Sequence, residues 1–124
     1  MTAKLIDGKS IAADINQEVA RDVADLKVRH GFVPGLAVVL VGDDPASAVY
    51  VKNKQKAAME AGMLAEDFRL PTHTSQADVL AQVERLNGDS RFHGVLVQLP
   101  MPPHVRKDVV MEAIDPNKDV DGLH

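Results

Sequence analysis

The hydrophobic positions of this chain fall into short continuous apolar runs separated by longer segments with helical spacing. Leu36-Ala37-Val38-Val39-Leu40-Val41 is an unbroken apolar run, as expected of a strand buried on both faces. His93-Gly94-Val95-Leu96-Val97-Gln98 is a second, and Ala65–Leu70 reads as a weaker strand. A short strand around Lys4–Ile6 is predicted to lead through Asp7-Gly8 into an amphipathic helix over Ser10–His30, which Gly31 and Pro34-Gly35 end. A second helix starts after Asp44, a suitable N-cap, with Pro45 at the first helical position and Gly62 as its stop. Thr74 or Ser75 caps a third that runs to Asn87-Gly88, and a fourth spans His104–Ile114. Leu99-Pro100-Met101-Pro102-Pro103 cannot be helical and reads as an extended, rigid loop. Strands alternating with helices predict a three-layer α/β/α domain with a mostly parallel sheet.

The second helix carries the candidate chemistry. At roughly 100° per residue, Ala46, Ser47, Tyr50, Lys54, Ala57, Ala58 and Ala61 share one stripe, whereas Lys52, Lys56 and Glu60 lie opposite. Lys54 therefore sits among small side chains on the face expected to turn inward, one turn after Tyr50. An amine there loses hydration and becomes a candidate for proton transfer, set against the common alternative of a snorkelling stem with its head in water. In open α/β sheets ligands gather at the carboxyl ends of the strands. One buried strand ends at Val41-Gly42 and delivers the Lys54 helix; the other ends at Gln98-Leu99-Pro100. The Gln98 amide can accept from an ammonium without fixing it in a salt bridge; otherwise it is a polar strand end meeting water. The acidic loop Asp119-Val120-Asp121-Gly122 could read paired N–H donors of a heterocycle, or be a solvated turn.

Composition narrows the classes. The 124 residues carry a formal net charge of −4, one Tyr and three Phe, which argues against a nucleic-acid surface. With no cysteine, disulfides and thiolate catalysis are excluded. The N-terminus lacks the apolar core of a signal peptide, and no run approaches a membrane span, so a soluble cytoplasmic domain is expected. The five histidines are scattered without metal-site spacing. Asp43 and Asp44 are explained by helix capping, Glu112, Asp115 and Asp119 show no EF-hand register, and the serines lack a nucleophile-elbow context.

Tyr50-Val51-Lys52-Asn53-Lys54-Gln55-Lys56-Ala57, Gly94-Val95-Leu96-Val97-Gln98-Leu99-Pro100 and Lys118-Asp119-Val120-Asp121-Gly122 resemble three blocks of the bifunctional methylenetetrahydrofolate dehydrogenase/methenyltetrahydrofolate cyclohydrolase family, with Gly42-Asp43-Asp44-Pro45-Ala46-Ser47 similar to the block just ahead of the first. The resemblance implies an amino-acid-dehydrogenase-like N-terminal domain, with Lys54, Gln98, Tyr50 and Asp121 forming the catalytic centre. Lys54 would handle the proton transfers, Gln98 would partner it, Tyr50 would stack on the aminobenzoyl ring, and Asp121 would hold the pterin edge. Ser47, Val51, Lys52, Asn53, Val97, Leu99 and Pro100 would complete the folate site. It also implies NADP as oxidant, tetrahydrofolate derivatives as substrates and a homodimer. Members of the family continue into a dinucleotide-binding Rossmann domain, but this chain has no Gly-x-Gly-x-x-Gly. Residues 1–124 are thus expected to be the N-terminal, folate-binding half of a longer enzyme that lacks its own cofactor site. The rival expectation is a non-catalytic folate-binding or dimerisation module.

Overall fold

The run Leu36–Val41 forms the middle of a parallel sheet because both of its faces can be covered. The computed structural model describes residues 4–122. Within them the elements are α1 (Gly8–His30), β1 (Gly35–Val41), α2 (Pro45–Glu60), β2 (Leu64–Leu70), α3 (Gln76–Asn87), β3 (Gly94–Val97) and α4 (Lys107–Ala113). The strand order is β2-β1-β3, all parallel, with Val39 opposite Phe68 on one side and Val97 on the other. On one face Ala37, Val39 and Val41 pack with Val79, Val83 and Leu86 of α3 and Val110 and Met111 of α4. On the other, Val38, Leu40 and Leu96 receive Val51 of α2. The expected α/β/α layering is therefore present, built from three strands.

That order has a consequence for function. The chain leaves β1 toward β2 through α2, then returns past β1 to β3 through α3, on the opposite face. The two connections diverge between the carboxyl ends of β1 and β3, which opens a crevice there.

Local chemistry sets most of the boundaries. Asp44 Oδ1 accepts from the Ser47 N–H at 2.9 Å, with Pro45 in the first turn, so α2 begins as its sequence dictates. Gly62, at φ 89°, lies just past its end. Ser75 rather than Thr74 caps α3; the Thr74 hydroxyl instead donates to the Pro71 carbonyl at 2.7 Å. α1 starts two residues earlier than predicted because the Asp7 carboxylate takes the N-cap role, accepting from the Ser10 N–H.

Several expectations are corrected. Lys4–Ile6 is not a strand, and Leu5 and Ile6 are exposed. A strand needs a partner for its ladder, and the outer side of β3 is bridged instead by Asp119, opposite Val95. α4 starts at Lys107, not His104: Pro102 and Pro103 supply no N–H, a turn closes from the Val105 N–H to the Pro102 carbonyl, and the His104 ring pairs with the Thr74 carbonyl. α1 forms over its predicted length but buries only Val23, leaving Ile11, Ile15 and Val28 exposed. Among the described residues no helix is long and apolar enough to cross a membrane.

The entry to β3 is tightly built. The Gly35 N–H donates to His93 Nδ1 at 3.0 Å, and the His93 N–H donates to the Gly35 carbonyl at 2.8 Å. A Cβ on Gly35 would overlap the Arg91 backbone carbonyl, which has no flexible end to yield. Gly35→Ala is therefore expected to cost about 3 kcal/mol in urea unfolding, whereas Gly8→Ala, facing open space, stays within about 0.5 kcal/mol. In the same turn the Arg91 guanidinium and backbone N–H both donate to the Asp89 carboxylate, holding its pKa down to about 2. A pKa lower in the folded than in the unfolded chain stabilises the fold above the ordinary value of 3.8, and that gain is lost as pH falls toward about 2. A carboxyl ¹³C titration should find the Asp89 midpoint there, and Arg91→Gln should return it toward 3.8.

Candidate active site

α2 must bury its one large inward side chain, Val51, against the sheet, and that requirement rotates the helix. Ser47, Val51 and Ala58 are the buried line, while Lys54 and Gln55 are half-buried at its border. Ala46, Tyr50 and Ala57, predicted to face inward, are exposed. The stripe was displaced because counting alanines weighs small residues like large ones, whereas Val51 contributes far more apolar area. Lys54 thus stands half-buried on the shoulder of α2 that faces the end of β3.

There the amine has a defined partner. Lys54 Nζ donates to Gln98 Oε1 at 2.8 Å, joining residues 44 positions apart in the chain. The amide is held from three directions. The Gln98 backbone N–H donates to the Val39 carbonyl at 2.8 Å, extending the β1–β3 ladder past Val97. Gln98 Nε2 donates to the Leu99 carbonyl at 3.2 Å, which leaves Oε1 as the end that meets Lys54. Turning the amide over would set Oε1 against a carbonyl and Nε2 against an ammonium, two repulsive contacts. The same Leu99 carbonyl accepts from Ser47 Oγ at 3.3 Å, so the first turn of α2 is tied to the loop that follows β3. The amide brings no formal charge, and either protonation state of the amine can keep donating to it. Such a group is free to give up and regain a proton without breaking its anchor.

The other predicted site residues separate into distinct environments. Tyr50, one turn before Lys54, is 56 % exposed. Ser47 is buried, and its hydroxyl is engaged with Leu99. The side chains of Val51 and Val97 lie in the two cores, one on each face of the sheet. Leu99 is half-buried and Pro100 exposed. Lys52 and Asn53 are exposed, and Lys52 lines a shallow groove with Lys56, Met59 and Glu60 rather than joining Gln98. A cleft of about 340 Å³ adjoins the loop after β3, walled by Pro100, Met101 and Pro102 and by Gly42, Asp43 and Asp44 across it. Thr72 Oγ1 donates to Asp43 Oδ1 at 2.8 Å in its lining.

Asp121 is exposed, two residues beyond the parallel bridge between Val95 and Asp119. Because the bridge is parallel, the segment advances toward the same end of the sheet as Val97 and Gln98. The terminal segment is bound to the domain through Asn87 and Lys118, neither of which had been given a role. A Lys ahead of two Asp and a Gly in a turn was the one available signal; Asn87 offered none.

The fold has close counterparts. Residues 6–121 match the family model described as tetrahydrofolate dehydrogenase/cyclohydrolase, catalytic domain. The bifunctional protein FolD of Cereibacter sphaeroides is 58% identical over all 124 residues, which cover 42% of that protein. The bifunctional FolD dehydrogenase/cyclohydrolase of Campylobacter jejuni superposes with a TM-score of 0.94 at 45% identity, over 98% of this chain and 43% of that one. The Trypanosoma brucei enzyme, solved with NADP cofactor and inhibitor, gives a TM-score of 0.91 at 37% identity, over 98% of this chain and 41% of that one. The chain spans about two fifths of the length of the relatives it matches. It belongs to the tetrahydrofolate dehydrogenase/cyclohydrolase catalytic-domain family.

Proposed function

We propose that this chain is the folate-binding catalytic domain of a bifunctional enzyme that oxidises 5,10-methylenetetrahydrofolate and hydrolyses 5,10-methenyltetrahydrofolate to 10-formyltetrahydrofolate. The observation that carries the reading is the 2.8 Å Lys54–Gln98 pair at the switch point of a parallel sheet, in a chain of this family. The chain has no Gly-rich dinucleotide loop, so its residues do not fit NADP. The nucleotide is assigned to a further domain, as are the homodimer contacts, and the enzyme is assigned to the cytoplasm.

What these residues do is handle the folate and its protons. The methenyl carbon is electron-poor, and water adds to it with loss of one proton; ring opening then places a proton on the departing ring nitrogen. Lys54, as the free amine, takes one proton from the attacking water and, as the ammonium, returns it to that nitrogen as the C–N bond breaks; the remaining hydroxyl proton of the adduct leaves to solvent as the formyl C=O forms. Gln98 keeps the amine aimed while its charge changes. Tyr50 offers a ring face on which the aminobenzoyl group stacks, an arrangement worth about 1 kcal/mol beyond its buried area. Asp121 accepts from the paired N–H donors of the pterin. Ser47, Val51 and Val97 support this arrangement from within the fold. Leu99 and Pro100 form its wall, while Lys52 and Asn53 are exposed and Lys52 lines the separate groove with Lys56, Met59 and Glu60.

In the full-length enzyme Lys54→Met is expected to lower methenyl hydrolysis by about 10²-fold or more, with an unchanged far-UV circular dichroism spectrum. Wild-type turnover in that variant would refute the assignment. Gln98→Ala leaves the amine present but unaimed, so its loss is expected to be smaller, about 10-fold, in kcat rather than in KM.

A further inference from the structure

Beyond the elements of the sheet, the chain from Asp115 to Gly122 forms neither helix nor extended strand, yet it is fastened at successive points. Asn87, the last residue of α3, uses both ends of its amide. Nδ2 donates to the Ala113 carbonyl at 2.8 Å, and Oδ1 accepts from the Asp115 N–H at 2.9 Å. The side chain thereby serves as the missing peptide partner for the end of α4. Lys118 folds back in the opposite sense. Its Nζ donates to the Leu86 carbonyl at 3.3 Å and the Asp89 carbonyl at 3.1 Å, placing a cation at the C-terminal end of α3 where the helix dipole favours it. Its own carbonyl accepts from the Val95 N–H at 2.8 Å, and its N–H donates to the Asp115 carbonyl at 2.8 Å. Val120 then lies against β3 so closely that a Cβ on Gly94 would come within 2.6 Å of its Cγ2. The Gly122 N–H closes the turn onto Asp119 Oδ1 at 3.1 Å.

Asp121 lies within this strap, between Val120 seated on Gly94 and Gly122 in a left-handed conformation at φ 68°. A carboxylate that must meet two N–H donors at once needs a backbone that does not wander, and Asp121 is in no regular element that could supply one. We infer that Asn87 and Lys118 are positioning residues for Asp121, holding it where the pterin edge is read, and that they act on substrate affinity rather than on proton transfer. The inference rests on the proposed function, within which Asp121 grips the substrate. Neither residue takes part in the Lys54–Gln98 bond, and Asn87 lies outside the four short motifs that first suggested the family.

The test is a double-mutant cycle in the full-length enzyme, with Asn87→Ala and Lys118→Met made alone and each combined with Asp121→Asn. Each single variant is expected to raise the KM for the folate about 10-fold with kcat within about twofold of wild type. On top of Asp121→Asn, neither is expected to raise KM further, because the grip they maintain is already gone. Deuterium uptake of the peptide covering residues 94–97 should rise in both, reporting the freed Val95 N–H, while β1 stays protected. Asn87→Asp, which keeps the acceptor and loses the donor, should fall between wild type and Asn87→Ala. Wild-type KM in both single variants, or KM effects that multiply with that of Asp121→Asn, would overturn the inference while leaving the function intact. An unchanged KM in Asp121→Asn, with Lys54→Met inactive, would remove the substrate role of Asp121, and the inference with it, but not that of Lys54. Wild-type hydrolysis by Lys54→Met would instead bring down the functional reading itself. Should Asn87→Ala fail to fold, Lys118→Met decides the question alone.

Discussion

A single hydrogen bond, from Lys54 Nζ to Gln98 Oε1 at 2.8 Å, is the contact around which the candidate site of this domain is built. It requires α2 and the end of β3 to meet, and the reversal of strand order between β1 and β3 brings them together. β1 is apolar on both faces, so it can be stable only with helices on both sides. Placing α2 on one face and α3 with α4 on the other satisfies that demand. The same arrangement splits the crossovers apart at the carboxyl ends of β1 and β3. The crevice is thus a by-product of burying Val38 and Val39 on opposite faces of one strand.

Within the crevice the polar groups form a chain in which each fixes the next. Ser47 and the Gln98 amide nitrogen converge on the Leu99 carbonyl, the amide oxygen then faces Lys54, and the Gln98 backbone is itself pinned to Val39. Among the described residues no buried side-chain nitrogen or oxygen lacks a hydrogen-bond partner. A network satisfied in this way resists rearrangement, since any rotation strands a donor or acceptor away from water. A neutral partner differs from a carboxylate here: an ion pair would favour one charge state of the amine, whereas the amide accepts from either, as the proposed proton transfers require.

Legibility in the sequence followed the strength of local physics. Asp44 and Pro45 start α2, Gly62 follows its end, and the apolar run after Gly35 becomes the central strand, because capping and burial on both faces leave little choice. Lys4–Ile6 misled because the adjacent apolar Leu5 and Ile6 have strand propensity whether or not a partner ladder exists for them. The inward face of α2 was misplaced by part of a turn, because alanines mark a face only weakly beside the single Val51. Lys54 survived that error since it lies on the border of both stripes. Asn87 was invisible: an asparagine before a glycine at a helix end reads as a stop signal, and nothing local reveals that its amide spans to the end of α4.

The amino-acid sequence by itself determined the alternation of strands and helices, most of the caps that bound them, and a candidate lysine with an uncharged amide and an acidic loop as its company. Those are matters of neighbouring residues, where periodicity and hydrogen-bond inventory act over a few positions. Only the tertiary structure decided which strand edges pair, how far α2 rolls to bury Val51, and that the loop bearing Asp121 is strapped to α3 and β3. These depend on contacts between groups dozens of residues apart, each worth about 1 kcal/mol, and no local pattern records which of many such pairings the packed core will permit.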